Sequence, residues 1–68
     1  MKSKYFINDL EFSKNDFFIY LYNYIKEYNL FNSKYHNINY NNIEKYFKNR
    51  RYYYFKINNK EFKKIIEK

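Results

Sequence analysis

Residues 5–12 read YFINDLEF, and residues 55–62 read FKINNKEF. At an offset of fifty positions, Ile7/Ile57, Asn8/Asn58, Glu11/Glu61 and Phe12/Phe62 are identical, while Tyr5/Phe55 and Asp9/Asn59 are similar. Each copy places two Asn or Asp residues between short runs that mix apolar and charged side chains. Asn and Asp tolerate the positive φ of a type I′ turn, so each copy predicts a β-hairpin with a two-residue turn, at Asn8–Asp9 and at Asn58–Asn59. Glycine, the better second turn residue, is absent from the chain. In the first hairpin this register sets Tyr5 opposite Phe12 and Ile7 opposite Leu10 on one face, with Phe6 and Glu11 on the other. In the second, Phe55 opposes Phe62 and Lys56 faces Glu61.

Two helices are expected between the hairpins. Ser13 is a natural N-cap with Asp16 at N3, and Phe12 is placed to staple onto Phe17. Phe17, Phe18, Leu21, Ile25 and Tyr28 then recur at helical spacing, with Tyr20, Tyr22 and Tyr24 widening the stripe. The spacing predicts a helix from Lys14 to Asn29, where Asn29 can end it in a left-handed conformation. Residues 29–42 hold six asparagines together with Ser33 and His36 and read as a loop. A second helix is expected over Tyr40 to Lys48, capped by Asn39 or Asn41, with Asn41 and Glu44 matching a capping box and Ile43, Tyr46 and Phe47 as its buried set. The final KEFKKIIEK suits a strand or a short helix. The resulting order is ββααββ. It predicts one α+β domain over residues 1–68, a small antiparallel sheet made by the two terminal hairpins with both helices on one face.

Asn, Lys, Tyr, Phe and Ile make up 51 of the 68 residues, and Ala, Gly and Pro are absent. The five abundant types have codons built largely from A and T, so an AT-rich genome explains much of the aromatic excess. The core must accordingly be assembled from rings. The charge is uneven. Residues 1–34 carry five lysines against four acids, a net of +1, whereas residues 35–68 carry nine Lys and Arg against three acids, a net of +6. A one-sided basic surface is the footprint of a polyanion binder, although lysine alone also serves as a solvated face. Arg50 and Arg51 tip the reading toward recognition, because guanidinium binds phosphate or carboxylate bidentately and stacks on rings. Strand alternation through RRYYYFKI turns Tyr53 and Phe55 one way and Tyr52 and Tyr54 the other. With Phe55 in the core, Tyr52 and Tyr54 lie outside beside Lys56 and Lys63, as in a base-stacking platform or a tyrosine-rich protein interface. The expected partner-binding set is Lys45, Lys48, Arg50, Arg51, Tyr52, Tyr54, Lys56 and Lys63.

No catalytic constellation is legible. The chain has one histidine, His36, no cysteine and no threonine, and its three serines have no base beside them in sequence. General acid–base work needs paired groups with shifted pKa values, and the seven carboxylates are scattered. The ligand clusters that hold zinc, and the glycine loops that cradle phosphates, are likewise absent. No enzyme, metal or cofactor is expected. No apolar run approaches the length of a membrane span, and no secretory signal follows Lys2 and Lys4, so the expectation is a cytoplasmic protein with no membrane partner.

The stretches INDLEFSKNDFF and YYYFKINNKEF, a hairpin leading into a capped helix and a second hairpin near the C-terminus, resemble small accessory proteins of phages and mobile elements of low-GC bacteria. Stoichiometric inhibitors of host defence, anti-CRISPR proteins among them, belong to that group. The resemblance implies a non-enzymatic binder acting in a host cell on a nucleic-acid-handling protein such as a CRISPR nuclease, and it carries no residue-level site. Two other classes stand beside it: direct binding of RNA or DNA, as in a ribosome-associated or regulatory protein, and a structural subunit that binds through exposed aromatics.

Overall fold

The computed structural model describes residues 2–31 and 39–67. Both hairpins form. Strands β1 (Lys2–Ile7) and β2 (Leu10–Phe12) are joined by Asn8 and Asp9 at φ 50° and 68°, and strands β3 (Tyr53–Ile57) and β4 (Lys60–Glu67) turn through Asn58 at φ 57°. Three Asn/Asp residues thus occupy the left-handed region that glycine fills in other proteins, and their short polar side chains make that tolerable. The registers are those expected from the sequence, with Tyr5↔Phe12 and Ile7↔Leu10 in one hairpin and Phe55↔Phe62 and Lys56↔Glu61 in the other.

Residues 60–67, KEFKKIIE, form a strand that holds the sheet together. The strand order is β2-β1-β4-β3, so β4 pairs with β3 on one side and antiparallel with β1 on the other, from Lys2↔Glu67 to Ile7↔Phe62. Each end of the chain therefore completes the other. The turn residue Asn8 extends this pairing. Its N–H donates to the Glu61 carbonyl at 2.9 Å, and its side-chain oxygen accepts from the Glu61 N–H at 2.9 Å.

Helices α1 (Lys14–Phe31) and α2 (Tyr40–Asn49) cover one face of the sheet. Ser13 caps α1, its hydroxyl accepting from the Asp16 N–H at 3.2 Å. The helix runs two residues past Asn29, which sits inside it rather than ending it; Leu30 is a good helix former and propagates the turn. Of the loop expected over residues 29–42, residues 29–31 and 40–42 are helical, and its Ser33 and His36 lie outside the described residues. Asn39, not Asn41, caps α2, with its side-chain oxygen accepting from the Asn41 N–H at 2.9 Å. Glu44 plays no part in a capping box that the hydrogen bonds reveal. Its carboxylate accepts from the Tyr40 hydroxyl at 3.3 Å and lies 3.2 Å from the Lys48 ammonium. Among the described residues no helix is long and apolar enough to cross a membrane.

The core consists mainly of rings. Phe17, Phe47 and Phe62 are wholly buried, with Leu21 and Ile25 beside them. Phe17 meets Tyr5, Phe18, Phe47 and Phe62 at centroid distances of 5.0–5.9 Å, with three of these four contacts edge-on or nearly so in angle. Such pairs add about 0.5–1.5 kcal/mol each beyond the area they bury. The ring found against Phe12 is Tyr20, one turn beyond the expected staple partner Phe17. Tyr46 departs from the expected buried set of α2. It is 39% exposed, because it lies on the flank of the helix and leans on Tyr53 at the sheet edge.

Phe62 sits at the centre of this packing, against Phe17, Tyr20, Tyr24 and Phe55. Phe62→Ala is expected to cost about 3–5 kcal/mol, and Tyr46→Ala about 1 kcal/mol or less, in urea unfolding followed by circular dichroism. Equal losses would remove Phe62 from the centre of the core.

Candidate binding surface

The sheet has one face under the helices and one face open. Alternation along β3 sends Tyr53, Phe55 and Ile57 toward the helices and Tyr54 and Lys56 to the open face. Across the pairing, Lys63 of β4 lies between Tyr54 and Phe6 on the same face. Tyr52 immediately precedes the strand. At 65% and 52% exposure, Tyr52 and Tyr54 present large rings to solvent, and with Lys63 and Ile65 they line a shallow groove of about 240 Å³. Tyr52 and Tyr54 thus stand exposed beside Lys63, as strand alternation predicts.

Two lysines of this face, Lys4 and Lys63, have acidic partners. The Lys63 ammonium stands 3.6 Å from Asp9 and 5.5 Å from the centre of the Phe6 ring. Lys4 and Glu67 approach to 2.6 Å; their hydrogen bond raises the lysine pKa above its ordinary value and lowers that of the carboxylate. Lys56 is opposite Glu61, whose carboxylate accepts from the Tyr54 hydroxyl at 3.4 Å. Ion pairs this exposed contribute little to stability, but they offset the charges of Lys4 and Lys63.

The remaining candidates lie elsewhere. Arg50 is the C-cap of α2, with its N–H donating to the Tyr46 carbonyl at 3.0 Å. Its guanidinium lies 4.5 Å from the Tyr46 ring centre and 5.5 Å from that of Tyr53, a cation–π contact with two adjoining rings at the helix end. Burial raises the Tyr53 phenol pKa, and Arg50 partly offsets this. Lys48 is held by Glu44 one turn earlier and lies 5.4 Å from the Phe18 ring centre. Lys45 is exposed on α2, and Arg51 is exposed in the link to β3. The eight candidates thus divide. Tyr52, Tyr54, Lys56 and Lys63 belong to the open-face region, Lys45, Lys48 and Arg50 to α2, and Arg51 to the link between them.

Lys64, one of the nine basic residues of the C-terminal half, is not part of the exposed basic surface. It is 5% exposed on the helix-covered face, between Tyr5 and Tyr53 in the sheet register. Its ammonium donates to the Lys48 carbonyl at 3.4 Å, in the last turn of α2, where a cation complements the helix dipole. The signal was present in the alternation: Lys64 is two residues beyond Phe62 and so shares its face. Among the described residues, no group of three His, Cys, Asp or Glu side chains is placed to hold a metal ion.

Burial, and to a smaller extent the nearby Lys14, push the Lys64 pKa below the ordinary 10.5. The folded state therefore disfavours the charge that the unfolded chain accepts. That penalty is fully present at neutral pH and is relieved as pH rises through the folded-state pKa toward 10.5. Relative to the wild type, Lys64→Met is expected to gain stability most near pH 7, with the difference shifting toward the wild type as pH approaches 10.5. Paired urea titrations across that range measure it, and a difference that does not change with pH would contradict the assigned environment.

No protein family matches this chain, and no curated protein or solved structure is similar to it.

Proposed function

We propose that this chain is a non-catalytic binding protein that docks through its open sheet face onto a nucleic-acid-handling protein, such as a CRISPR nuclease, and inhibits it stoichiometrically. The observation that carries the docking surface is the pair Tyr52 and Tyr54, largely exposed on a face whose lysines already have acidic neighbours. Tyrosine is enriched at protein interfaces because its ring supplies apolar area while its hydroxyl stays satisfied. The nature of the partner comes from the resemblance of the two hairpin stretches to phage accessory proteins, and the proposed place of action is the cytoplasm of a host cell. With a net charge of +7, the chain is a poor mimic of nucleic acid and is repelled by a basic nucleic-acid channel. Inhibition would instead hold a moving part or an acidic surface of the target.

The same net charge, with Arg50, Arg51 and Lys45 exposed around the end of α2, favours a second reading, direct binding of RNA or DNA. Two titrations separate the readings. Inhibition of a sensitive CRISPR nuclease should saturate at a fixed molar ratio. The double variant Tyr52→Ala, Tyr54→Ala should remain folded and weaken inhibition by about tenfold or more, as interface hot spots do. Oligothymidylate should bind no better than about 10⁻⁶ M at physiological salt, the range of non-specific contacts. Tight oligonucleotide binding, with a salt dependence that flattens in Arg50→Ala, Arg51→Ala, would establish the second reading. Multiple turnover by trace protein would reveal an active site.

A further inference from the structure

The two edges of the sheet are built differently. β2 has three residues and runs through Ser13 directly into α1. β3 has five residues, YYFKI, and among the described residues its outer side has no neighbouring strand. Natural sheets protect an edge of this length with proline, a bulge, inward charges or a covering element, because its unpaired backbone groups recruit another strand. β3 has no proline, and Lys56 is its one charged residue.

The direction of the backbone groups follows from the pairing. The Asn8 N–H donates to the Glu61 carbonyl, and the Glu61 N–H donates to the Asn8 side chain, so both backbone groups of Glu61 are used on the β1 side. Its opposite number across the hairpin, Lys56, is then a non-hydrogen-bonded position of the β3–β4 ladder. By alternation Tyr54 is another, and Phe55 between them pairs with Phe62. The N–H and C=O of Tyr54 and Lys56 therefore point away from the sheet, side by side along its edge.

We infer that the β3 edge receives an extended acidic segment of a protein partner, which pairs with Tyr54 and Lys56 as a fifth strand. Charge complementarity selects the occupant: Arg50 and Arg51 precede the strand and Lys56 stands near its end, with no acidic residue within β3. Once paired, the segment's alternate side chains would lie beside Tyr54 and Lys56 on the open face and beside Tyr53 and Phe55 on the other, the two-sided recognition by which added strands gain specificity. This inference rests on the protein-partner reading above and deepens it from a face to an edge.

The test uses the whole chain and a blocked peptide of sequence Thr-Val-Glu-Val-Glu-Val-Glu-Thr, with a control carrying Lys in place of each Glu. Amide exchange and chemical shifts are followed by NMR. The acidic peptide should bind with a dissociation constant below about 1 mM, slow exchange at the Tyr54 and Lys56 amides, and bind about tenfold more tightly than the lysine peptide. Tyr54→Pro removes one outward N–H and leaves the β4 ladder intact, as proline does on edge strands, and should abolish the protection. Lys56→Pro provides the same test at the other position, and the exchange measurement on the wild type needs neither variant. No binding at 1 mM overturns the inference. So does protection that grows with protein concentration alone, which would mean a second copy, or protection produced equally by oligothymidylate. If Tyr52→Ala, Tyr54→Ala abolishes inhibition of the nuclease while edge protection is never seen, the edge inference fails and the docking face stands.

Discussion

Strand β4 is the element on which the rest of the molecule depends. It is hydrogen-bonded on both sides, to β1 and to β3, and it carries Phe62 into the middle of the ring cluster. Without β4 the second hairpin could not form and the first would stand alone, and isolated two-stranded hairpins are marginal in water. A chain of 68 residues buries little surface, so closing its ends on one another is an effective way to form a core of adequate size. The clasp between Asn8 and Glu61 works toward the same end, because it locks the first turn onto the strand that arrives last in the chain.

Much of this was legible from local chemistry. The Asn/Asp pairs announced both turns and thereby both registers, and Ser13 announced the start of α1. The apolar spacing of Phe17, Phe18, Leu21 and Ile25 identified the buried face of that helix. What local chemistry could not convey was the relation between distant pieces. The internal echo aligns β1 with β3 and β2 with β4, yet the central pair is β1 with β4, so the repeat is not expressed as a symmetric sheet. KEFKKIIEK satisfies both periodicities, and only its two neighbours decide for a strand. Tyr46 fits the buried spacing of α2 and is drawn to the flank by Tyr53 and Arg50. The tyrosine platform followed from strand alternation alone. The division of the basic residues between the open face and α2 did not, because it depends on how the helix packs and on which acids each lysine finds.

The same packing explains the character of the surface. One face of the sheet is covered by ring packing against α1 and α2, which takes Lys64 with it and turns a basic residue into a prop for the end of α2. The other face keeps Tyr52 and Tyr54 exposed and pairs Lys4 with Glu67 and Lys63 with Asp9. What the fold presents is therefore an aromatic face, bordered by an arginine-bearing link and the outer edge of β3. That combination suits a partner that supplies both apolar contact and carboxylates better than it suits a bare phosphate backbone.

All of these surfaces presuppose the antiparallel union of the chain ends, and interstrand Hα–Hα contacts test it most directly. The Asn8–Glu61 bond sets the hydrogen-bonding phase of the β1–β4 ladder, so Ile7 with Phe62 and Tyr5 with Lys64 are its non-hydrogen-bonded pairs, whose Hα atoms approach most closely. Nuclear Overhauser cross-peaks between the Hα of Tyr5 and Lys64, and between those of Ile7 and Phe62, are the predicted result. Cross-peaks linking β1 to β3 instead, or helical chemical shifts over residues 60–67, would contradict the topology and with it the placement of the exposed aromatic face.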